Sequence, residues 1–428
     1  MILDFSCSNY KSFKDEQTIS LIAENSIKEY WEDNIIDMGR YQILKSAVIY
    51  GANASGKSNF LSAMKKMRWI VLNSSKNLQL GEPLNVDYFR LSTETLQKPS
   101  KFEITILIDD NKYRYGFETD NFVIKSEWLL RSKKIKEYPM FIRENEDIQV
   151  FSPFPEGEKL EERTRNNALF LSVCAQLNGE ISGKIINWFH NFNIISGIDD
   201  RIYQQFTESF FLKSNDSKEK IMELLRIADL GIIDIDIKKE IIQEASLPAN
   251  ISDEIKTLFL DKESSQVSTY HNLYDEKKNI VNTINLDFES QESEGSKKYF
   301  RLSGPIIDTL LNRKVLVIDE LDARLHPKLT NAIVKLFNSG ITNKNNAQFI
   351  FATHDTNLLS AKVFRRDQIW FAEKNHSEET DLYSLSEYIM PKGKKVRNDA
   401  SFENEYIQGR YGAIPYIGDF QKMWGLNE

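Results

Sequence analysis

Cysteine is nearly absent from the sequence. Cys7 and Cys174 are the only two cysteines among 428 residues, and they lie far apart with no metal-ligand spacing. They predict neither a disulfide framework nor a thiolate metal site, a pattern typical of a reducing cytosol. We therefore expect a cytoplasmic location.

Long apolar runs and a secretory leader are lacking too. No run approaches the roughly 18 apolar residues that a membrane-spanning helix requires. Residues 1–5, MILDF, show no basic stretch followed by an apolar core, so we expect no signal peptide. Both absences predict a protein that does not insert into a membrane.

The third feature that the sequence lacks is an excess of positive charge. The chain carries 55 lysine and arginine residues against 63 aspartate and glutamate residues, a formal net charge of −8. No global basic field would draw it to nucleic acid, so any DNA contact requires a local patch or a partner. With 41% hydrophobic and 28% charged residues, the composition is ordinary for a globular protein of two or three domains, or of one domain with a large insertion.

The strongest motif present is a glycine loop between an apolar run and a helical pattern. Residues 51–58, GANASGKS, fit G-x-x-x-x-G-K-[ST], the phosphate-binding loop or Walker A motif. Residues 47–50 predict a buried strand and residues 59–67 a helix, which is the context this motif requires. Backbone N–H groups and the helix dipole would bind phosphates, Lys57 would neutralise them, and Ser58 would contact Mg²⁺. The alternative, a chance glycine turn before a helix, explains the flanking pattern less well.

Two later apolar runs end in residues suited to phosphate chemistry. The run at 314–318 ends in Asp319 and Glu320, and the run at 348–353 ends in His354. Carboxyl ends of parallel strands meet at one edge of a sheet, which would place these groups beside the glycine loop. Asp319 would hold Mg²⁺, Glu320 would orient or deprotonate a water, and His354 would contact the γ-phosphate or that water. Taken alone, an acidic helix start explains Asp319 and Glu320 equally well, and a histidine such as His354 is more often structural.

A short polar segment precedes the run that ends in Asp319. Residues 293–296 read Ser-Glu-Gly-Ser and lead into a helix predicted over 297–311. A helix N-terminus of this composition can bind an anion. The same residues are also typical of a simple helix cap, so both interpretations stay open.

The alternation of buried strands and helices predicts an α/β fold with a mainly parallel sheet. An antiparallel β-subdomain is expected at its side. We predict an N-terminal lobe at 1–154 with the phosphate loop and the β-subdomain, a mainly helical lid or arm insertion at 155–290, and a C-terminal lobe at 291–428. Within the insertion we predict helices at 206–213 and 218–228, a strand at 230–237 and a short helix at 253–260.

Together the motifs resemble the ABC-type ATPase head shared by SMC and RecF proteins. The closest resemblance is to the stand-alone OLD-like ATPases, including the RloA and AbiLi group of bacterial defence ATPases. The matching segments are NYKSF at 9–13, ESEGS at 292–296, DELD at 319–322, LHP at 325–327, THD at 353–355, RRDQIWF at 365–371 and GRYGAIP at 409–415. The resemblance spans both ends of the chain and is least informative at 155–290.

This resemblance implies ATP hydrolysis to ADP and phosphate, with Mg²⁺, in a homodimer or higher even oligomer whose heads sandwich two ATPs. In one subunit the nucleotide would be bound by Lys11, Ser12, Gly51, Asn53, Ala54, Ser55, Gly56, Lys57, Ser58 and Asn59. Lys57, Glu320 and His354 would be catalytic there, and Ser58 and Asp319 would hold the metal. Ser293 and Gly295 would act from the other subunit. A Q-loop glutamine, the second Mg²⁺ contact of this class, has two candidates, Gln79 and Gln97.

The same resemblance predicts a regulatory ATPase of an anti-phage, abortive-infection type defence system. Some OLD proteins carry a C-terminal TOPRIM nuclease, and the residues after Pro415 are too few for one. We therefore expect the effector, a TOPRIM or HNH nuclease, to be a separate protein. The alternative is a RecF-like DNA-binding repair ATPase. Its phosphate contacts would come from Lys392, Lys394, Lys395 and Arg397, although such a run is also typical of a solvated loop.

Overall fold

The computed structural model describes residues 1–132, 136–241, 263–390 and 393–415. The chain forms two compact units. The first unit comprises Met1–Gly197, Thr309–Asp322 and Thr330–Glu428, and the second comprises Ile198–Asp308 and Ala323–Leu329. This division differs from the predicted one, because residues 155–197 belong to the first unit and residues 291–308 to the second.

Strands and helices are numbered in chain order. The strands are β1 (Ile2–Ser8), β2 (Gln17–Ser20), β3 (Ile35–Asp37), β4 (Gln42–Leu44), β5 (Ser46–Tyr50), β6 (Ser100–Ile108), β7 (Asn111–Thr119), β8 (Ile124–Ser132), β9 (Tyr138–Glu144), β10 (Asp147–Val150), β11 (Phe192–Ser196), β12 (Asp234–Ile241), β13 (Glu263–Tyr274), β14 (Ile280–Asp287), β15 (Val315–Asp319), β16 (Gln348–Ala352), β17 (Ile369–Lys374), β18 (Thr380–Ser384), β19 (Ile389–Met390) and β20 (Lys394–Lys395). The helices are α1 (Trp31–Asn34), α2 (Lys57–Asn73), α3 (Phe170–Gln176), α4 (Glu180–His190), α5 (Ile202–Lys213), α6 (Asn215–Ile227), α7 (Phe288–Gln291), α8 (Glu294–Leu311), α9 (Pro327–Asn338), α10 (Asn357–Ser360) and α11 (Phe402–Ile407).

A mainly parallel sheet forms the centre of the first unit. Its strand order is β11-β15-β16-β5-β17-β18. All neighbouring pairs are parallel except β17 and β18. Every residue of β5 and β16 is buried, as expected for parallel strands covered on both faces. The predicted α/β fold with a mainly parallel sheet is confirmed.

An antiparallel sheet provides the predicted β-subdomain. Its order is β10-β9-β8-β7-β6-β1-β2, and it shares one continuous hydrophobic core with the parallel sheet. Helix α2 contributes to this core through Phe60, whose ring lies 5.5 Å from that of Phe5 and 5.6 Å from that of Phe13. The helix that begins in the glycine loop is therefore supported by the strand and turn at the N-terminus of the chain.

The predicted insertion is divided between the two units. Strand β11 pairs in parallel with β15, so the segment up to residue 197 joins the central sheet. The predicted helices near 206–213 and 218–228 correspond to α5 and α6 with shifted ends.

Beyond α6 the insertion is less helical than predicted. Strands β12, β13 and β14 form an antiparallel sheet, rich in the threonine, valine and isoleucine that favour strands. The predicted strand at 230–237 begins later, at Asp234. The predicted helix at 253–260 lies outside the described residues.

The structure also bears on the two cysteines and on the lack of long apolar runs. Cys7 and Cys174 are both free and buried. Within the part of the chain that the structure describes, no helix combines the length and apolar character needed to cross a membrane.

Candidate functional site

The glycine loop lies between β5 and α2, as the motif predicts. Gly56 immediately precedes α2 with a φ of +110°, a backbone conformation that favours glycine. A Cβ atom on Gly56 would lie 2.3 Å from the Thr380 hydroxyl oxygen and 2.9 Å from that of Ser12. A Cβ atom on Gly51 would lie 2.4 Å from the carbonyl oxygen of Ala372. Both glycines are thus required by close approach of the surrounding chain.

The loop presents polar groups suited to a phosphate. Ser55 is 4% exposed, and its buried hydroxyl oxygen has no hydrogen-bond partner. The Lys57 ammonium donates to the loop's own carbonyl oxygens, at 2.8 Å to Gly51 and 3.0 Å to Ala52. Buried polar groups are normally hydrogen-bonded, so the unpaired Ser55 hydroxyl is an exception that calls for a partner. An anion inside the loop would supply an acceptor for both Ser55 and Lys57, so the residues fit a nucleotide phosphate.

Burial also changes the acidity of Lys57. It lowers the pKa of the ammonium to about 8, while the carboxylates of Asp319, Glu320 and Asp322 oppose the shift. The positive charge is thus costly here and is held in place by nearby negative charge. A bound polyphosphate would stabilise it further.

Asp319 and Ser58 meet at the carboxyl edge of the parallel sheet. The Ser58 hydroxyl donates to a carboxylate oxygen of Asp319 at 3.1 Å. Burial raises the pKa of Asp319, whereas the Ser58 hydrogen bond and the Lys57 ammonium lower it. The two oxygen-bearing groups predicted to hold Mg²⁺ are brought together, and oxygen ligands are those that Mg²⁺ prefers.

The residue after Asp319 has an unusual backbone. Glu320 adopts a φ of +54°, in the left-handed region that non-glycine residues seldom occupy. Gly197 packs directly against it, since a Cβ atom on Gly197 would lie 2.1 Å from the Glu320 carbonyl oxygen. The Gly197 amide also donates to the Asp319 carbonyl at 2.6 Å. The turn that directs Glu320 is therefore shaped by the end of β11.

His354 follows β16 at the same edge. The Thr353 hydroxyl donates to Asp322 at 2.7 Å, and the His354 amide donates to the same carboxylate at 3.3 Å. Burial and the Lys57 ammonium lower the pKa of His354, although Asp322 and its neighbouring carboxylates oppose this. These shifts favour the neutral imidazole, which offers one donor and one acceptor.

Ser12 and Lys11, the two predicted nucleotide-binding residues near the N-terminus, make different contacts. The Ser12 hydroxyl oxygen accepts a hydrogen bond from the Asn59 amide at 2.9 Å and lies 2.9 Å from the Thr380 hydroxyl oxygen. Lys11 instead donates to the hydroxyl of Ser62, at 2.8 Å, on the second turn of α2. Ser12 thus packs against the glycine loop, and Lys11 lies along the helix. Within the loop itself, Asn53 and Ala54 are exposed.

Ser293 and Gly295 belong to the second unit, unlike the other predicted residues. Ser293 caps α8, because its hydroxyl oxygen accepts from the Ser296 amide at 3.0 Å. Gly295 lies close to the loop before α9, where a Cβ atom would be 3.2 Å from the Arg324 carbonyl oxygen. Ser293 is exposed. The helix-cap interpretation is correct for the Ser293 side chain and leaves the segment open to solvent.

Comparison of the sequence with known protein families identifies the family to which the chain belongs. Residues 46–360 match the AAA_21 family, described as "AAA domain, putative AbiEii toxin, Type IV TA system". The chain belongs to the AAA_21 family. It is thus a P-loop ATPase domain, and membership implies ATP binding.

Solved structures with similar folds include two SMC heads and one ATP-binding cassette. The SMC head domain from Thermotoga maritima has a TM-score of 0.41 at 12% identity, covering 90% of this chain and 98% of that one. An SMC head bound to the C-winged helix domain of ScpA has a TM-score of 0.45 at 13% identity, covering 90% and 97%. A dimeric, post-hydrolysis ATP-binding cassette, MJ0796, bound to ADP and phosphate has a TM-score of 0.30 at 12% identity, covering 90% and 100%. No protein of curated function matches the chain.

Two features of the site could not be predicted from the sequence. Thr380, the first residue of β18, donates to the Ser55 carbonyl at 2.9 Å and so supports the phosphate loop. Strand β11 ends beside Asp319, with Ser196 as its register partner, so the residues after β11 reach the carboxyl edge. The candidate Q-loop residues Gln79 and Gln97 are exposed and lie instead in the connection between α2 and β6. No local signal marks Thr380 or Ser196.

Proposed function

We propose that this chain is an ABC-type regulatory ATPase of a bacterial anti-phage, abortive-infection type defence system. It acts in the cytoplasm and controls a separate effector, a TOPRIM or HNH nuclease. The observation that carries the ATPase part is the convergence of the phosphate loop, Asp319, Glu320 and His354 at one sheet edge. The defence part is supported by the OLD-like motifs and by the toxin–antitoxin description of the AAA_21 family.

Within one subunit, each residue has a defined task. The amides of 51–58 and the Lys57 ammonium bind the β- and γ-phosphates, and Ser55 supplies a further donor. Ser58 and Asp319 would hold Mg²⁺, which would supply positive charge to the phosphates. Glu320 orients a water and accepts its proton, and the neutral His354 imidazole donates to the γ-phosphate.

A second copy of the chain completes the site. Ser293 and Gly295 lie at the N-terminus of the 18-residue α8, where backbone N–H groups and the helix dipole favour an anion. Because Ser293 is exposed, it is accessible to the γ-phosphate bound by a partner subunit. ATP then links two heads into a homodimer, and hydrolysis releases them. This makes the nucleotide a switch for dimer geometry, which a bound effector would sense.

Two substitutions test this proposal. Lys57→Ala should abolish ATP hydrolysis, because the loop loses its only side-chain cation. Glu320→Gln should retain ATP binding, lose turnover and accumulate an ATP-dependent dimer in size-exclusion chromatography with light scattering. Turnover by Lys57→Ala at the wild-type rate would overturn the phosphate-loop assignment. Unchanged turnover by Glu320→Gln would remove that residue from the mechanism.

A RecF-like repair ATPase is the second candidate. Lys394 and Lys395 are exposed on β20, where they could contact DNA phosphates. Arg397 is paired with Asp399 at 2.7 Å, which reduces the local positive charge, and Lys392 lies outside the described residues. Tight duplex binding that falls steeply with salt would favour this function over the regulator. Activation of a nuclease encoded by the neighbouring gene would favour the regulator.

A further inference from the structure

One buried carboxylate lies immediately before Ser293. Glu292 joins α7 to α8 in an extended conformation, with φ −81° and ψ 153°. Its side chain is only 7% exposed. A buried carboxylate is costly unless hydrogen bonds replace its water. Glu292 must therefore be held by particular partners.

Those partners come from a single strand, β13. One carboxylate oxygen of Glu292 lies 2.6 Å from the Thr269 hydroxyl oxygen and 2.7 Å from the His271 Nε2 atom. Thr269 and His271 are two residues apart, so their side chains share one face of the strand. Hydrogen bonds to an ionised carboxylate are among the stronger ones in proteins. For His271 to donate, its Nε2 atom must carry the proton.

The strand that supplies these donors is itself held on both sides. Thr269 is in register with Ile235 of β12 and with Leu286 of β14. Its side chain is fully buried. Thr269 and His271 therefore project from a paired, central strand rather than from a loop.

On the other side of Ser293, Glu294 is anchored as well. Its carboxylate pairs with Lys297 at 2.6 Å and with Arg324 at 3.1 Å. Ser293 thus lies between two carboxylates that are each held by neighbours. Glu292 is the buried one and is the contact that connects the segment to the sheet.

We propose that Thr269 and His271 are positioning residues for the Ser293–Gly295 segment, acting through Glu292. The inference rests on the proposed role of that segment in contacting a partner subunit's ATP. Without these donors, Glu292 would turn to solvent and Ser293 would shift. A displacement on the order of 1 Å in a group that contacts the reacting phosphate can cost about 100-fold in rate.

Steady-state kinetics provide the first test. His271→Ala and Thr269→Val should each lower kcat by about tenfold or more with little change in KM for ATP, because the intact loop still binds the nucleotide. His271→Gln, whose amide can donate to Glu292, should recover part of the lost kcat. Tyr270→Phe, on the opposite face of the same strand, is the matched control and should retain wild-type kcat. Wild-type kcat in both His271→Ala and Thr269→Val would overturn the inference, as would equal losses in Tyr270→Phe.

Mixed dimers separate this inference from the proposed function. Combining Lys57→Ala with His271→Ala subunits creates one site with an intact loop and an intact signature. Random mixing should therefore restore about a quarter of wild-type activity, while each variant alone stays low. Ser293→Ala mixed with Lys57→Ala is the reference. If the reference mixture shows no recovery, the composite site itself is wrong. If the reference recovers and the His271→Ala mixture does not, only the positioning role fails.

Discussion

The buried Lys57 makes a quantitative prediction about ATP binding and pH. Burial lowers the pKa of its ammonium to about 8 from an ordinary value of 10.5. This difference corresponds to about 3 kcal/mol of cost for the charged form. Phosphates bound in the loop would add negative charge beside the ammonium, which favours its protonated form. We therefore expect ATP to raise the pKa of Lys57 back towards its ordinary range.

The sign and size of the effect follow from proton linkage. At pH 6 the lysine is protonated in both the free and the bound protein, so binding takes up almost no proton. At pH 8 about half of the free protein has a neutral Lys57, so binding takes up about 0.5 proton. Above pH 8 the affinity for ATP should fall by up to about tenfold per pH unit. The loss should level off near pH 10.5, where the bound lysine also titrates.

Isothermal titration calorimetry measures this proton uptake directly. ATP is titrated at pH 6, 7 and 8 in pairs of buffers that differ in ionisation enthalpy. The matched control is Lys57→Arg, whose guanidinium stays charged throughout and should show no uptake from this position. The control also accounts for protons taken up by ATP itself. Equal uptake by the wild type and Lys57→Arg at pH 8 would refute the reasoning.

Three further predictions concern the loop, the metal and the core. Gly56→Ala should weaken binding of a fluorescent ATP analogue about tenfold or more, because strain at positive φ costs about 1–3 kcal/mol and the new Cβ atom would meet Thr380. Unchanged affinity would contradict the requirement for glycine at this position of the phosphate loop. Asp319→Asn should raise the Mg²⁺ concentration needed for half-maximal ATPase activity, and an unaltered Mg²⁺ dependence would exclude Asp319 as a ligand. The buried Glu127 carboxylate accepts hydrogen bonds from the first two amides of α3, Phe170 at 2.6 Å and Leu171 at 3.0 Å, and lies 3.8 Å from the buried Arg143 guanidinium. Glu127→Ala should therefore destabilise the fold by about 3–5 kcal/mol in urea denaturation, since it leaves these donors without their carboxylate. A loss below about 1 kcal/mol would mean that other groups satisfy these donors.

The glycine loop and its flanking strand and helix could be predicted because their pattern is local. The spacing of Gly51, Gly56, Lys57 and Ser58 places donors around a phosphate wherever a strand precedes and a helix follows. The strand ends at Asp319 and His354 could be placed for a similar reason, since parallel strands align their carboxyl ends. The ends of the insertion could not, because the pairing of β11 with β15 joins residues more than 100 positions apart.

The sequence alone predicts the chemical groups of the site: a phosphate loop, a carboxylate pair, a histidine after a buried strand and a serine-glycine helix start, all in an acidic chain. The residues that support these groups are visible only in the folded chain. Ser12 and Thr380 meet beside Gly56 across 368 positions of sequence, and Thr269 and His271 hold Glu292 across a strand pairing. Such contacts depend on how sheets are ordered and how loops close. Local sequence patterns do not predict such long-range contacts, whereas turn geometry and strand ends depend on neighbouring residues and can be predicted.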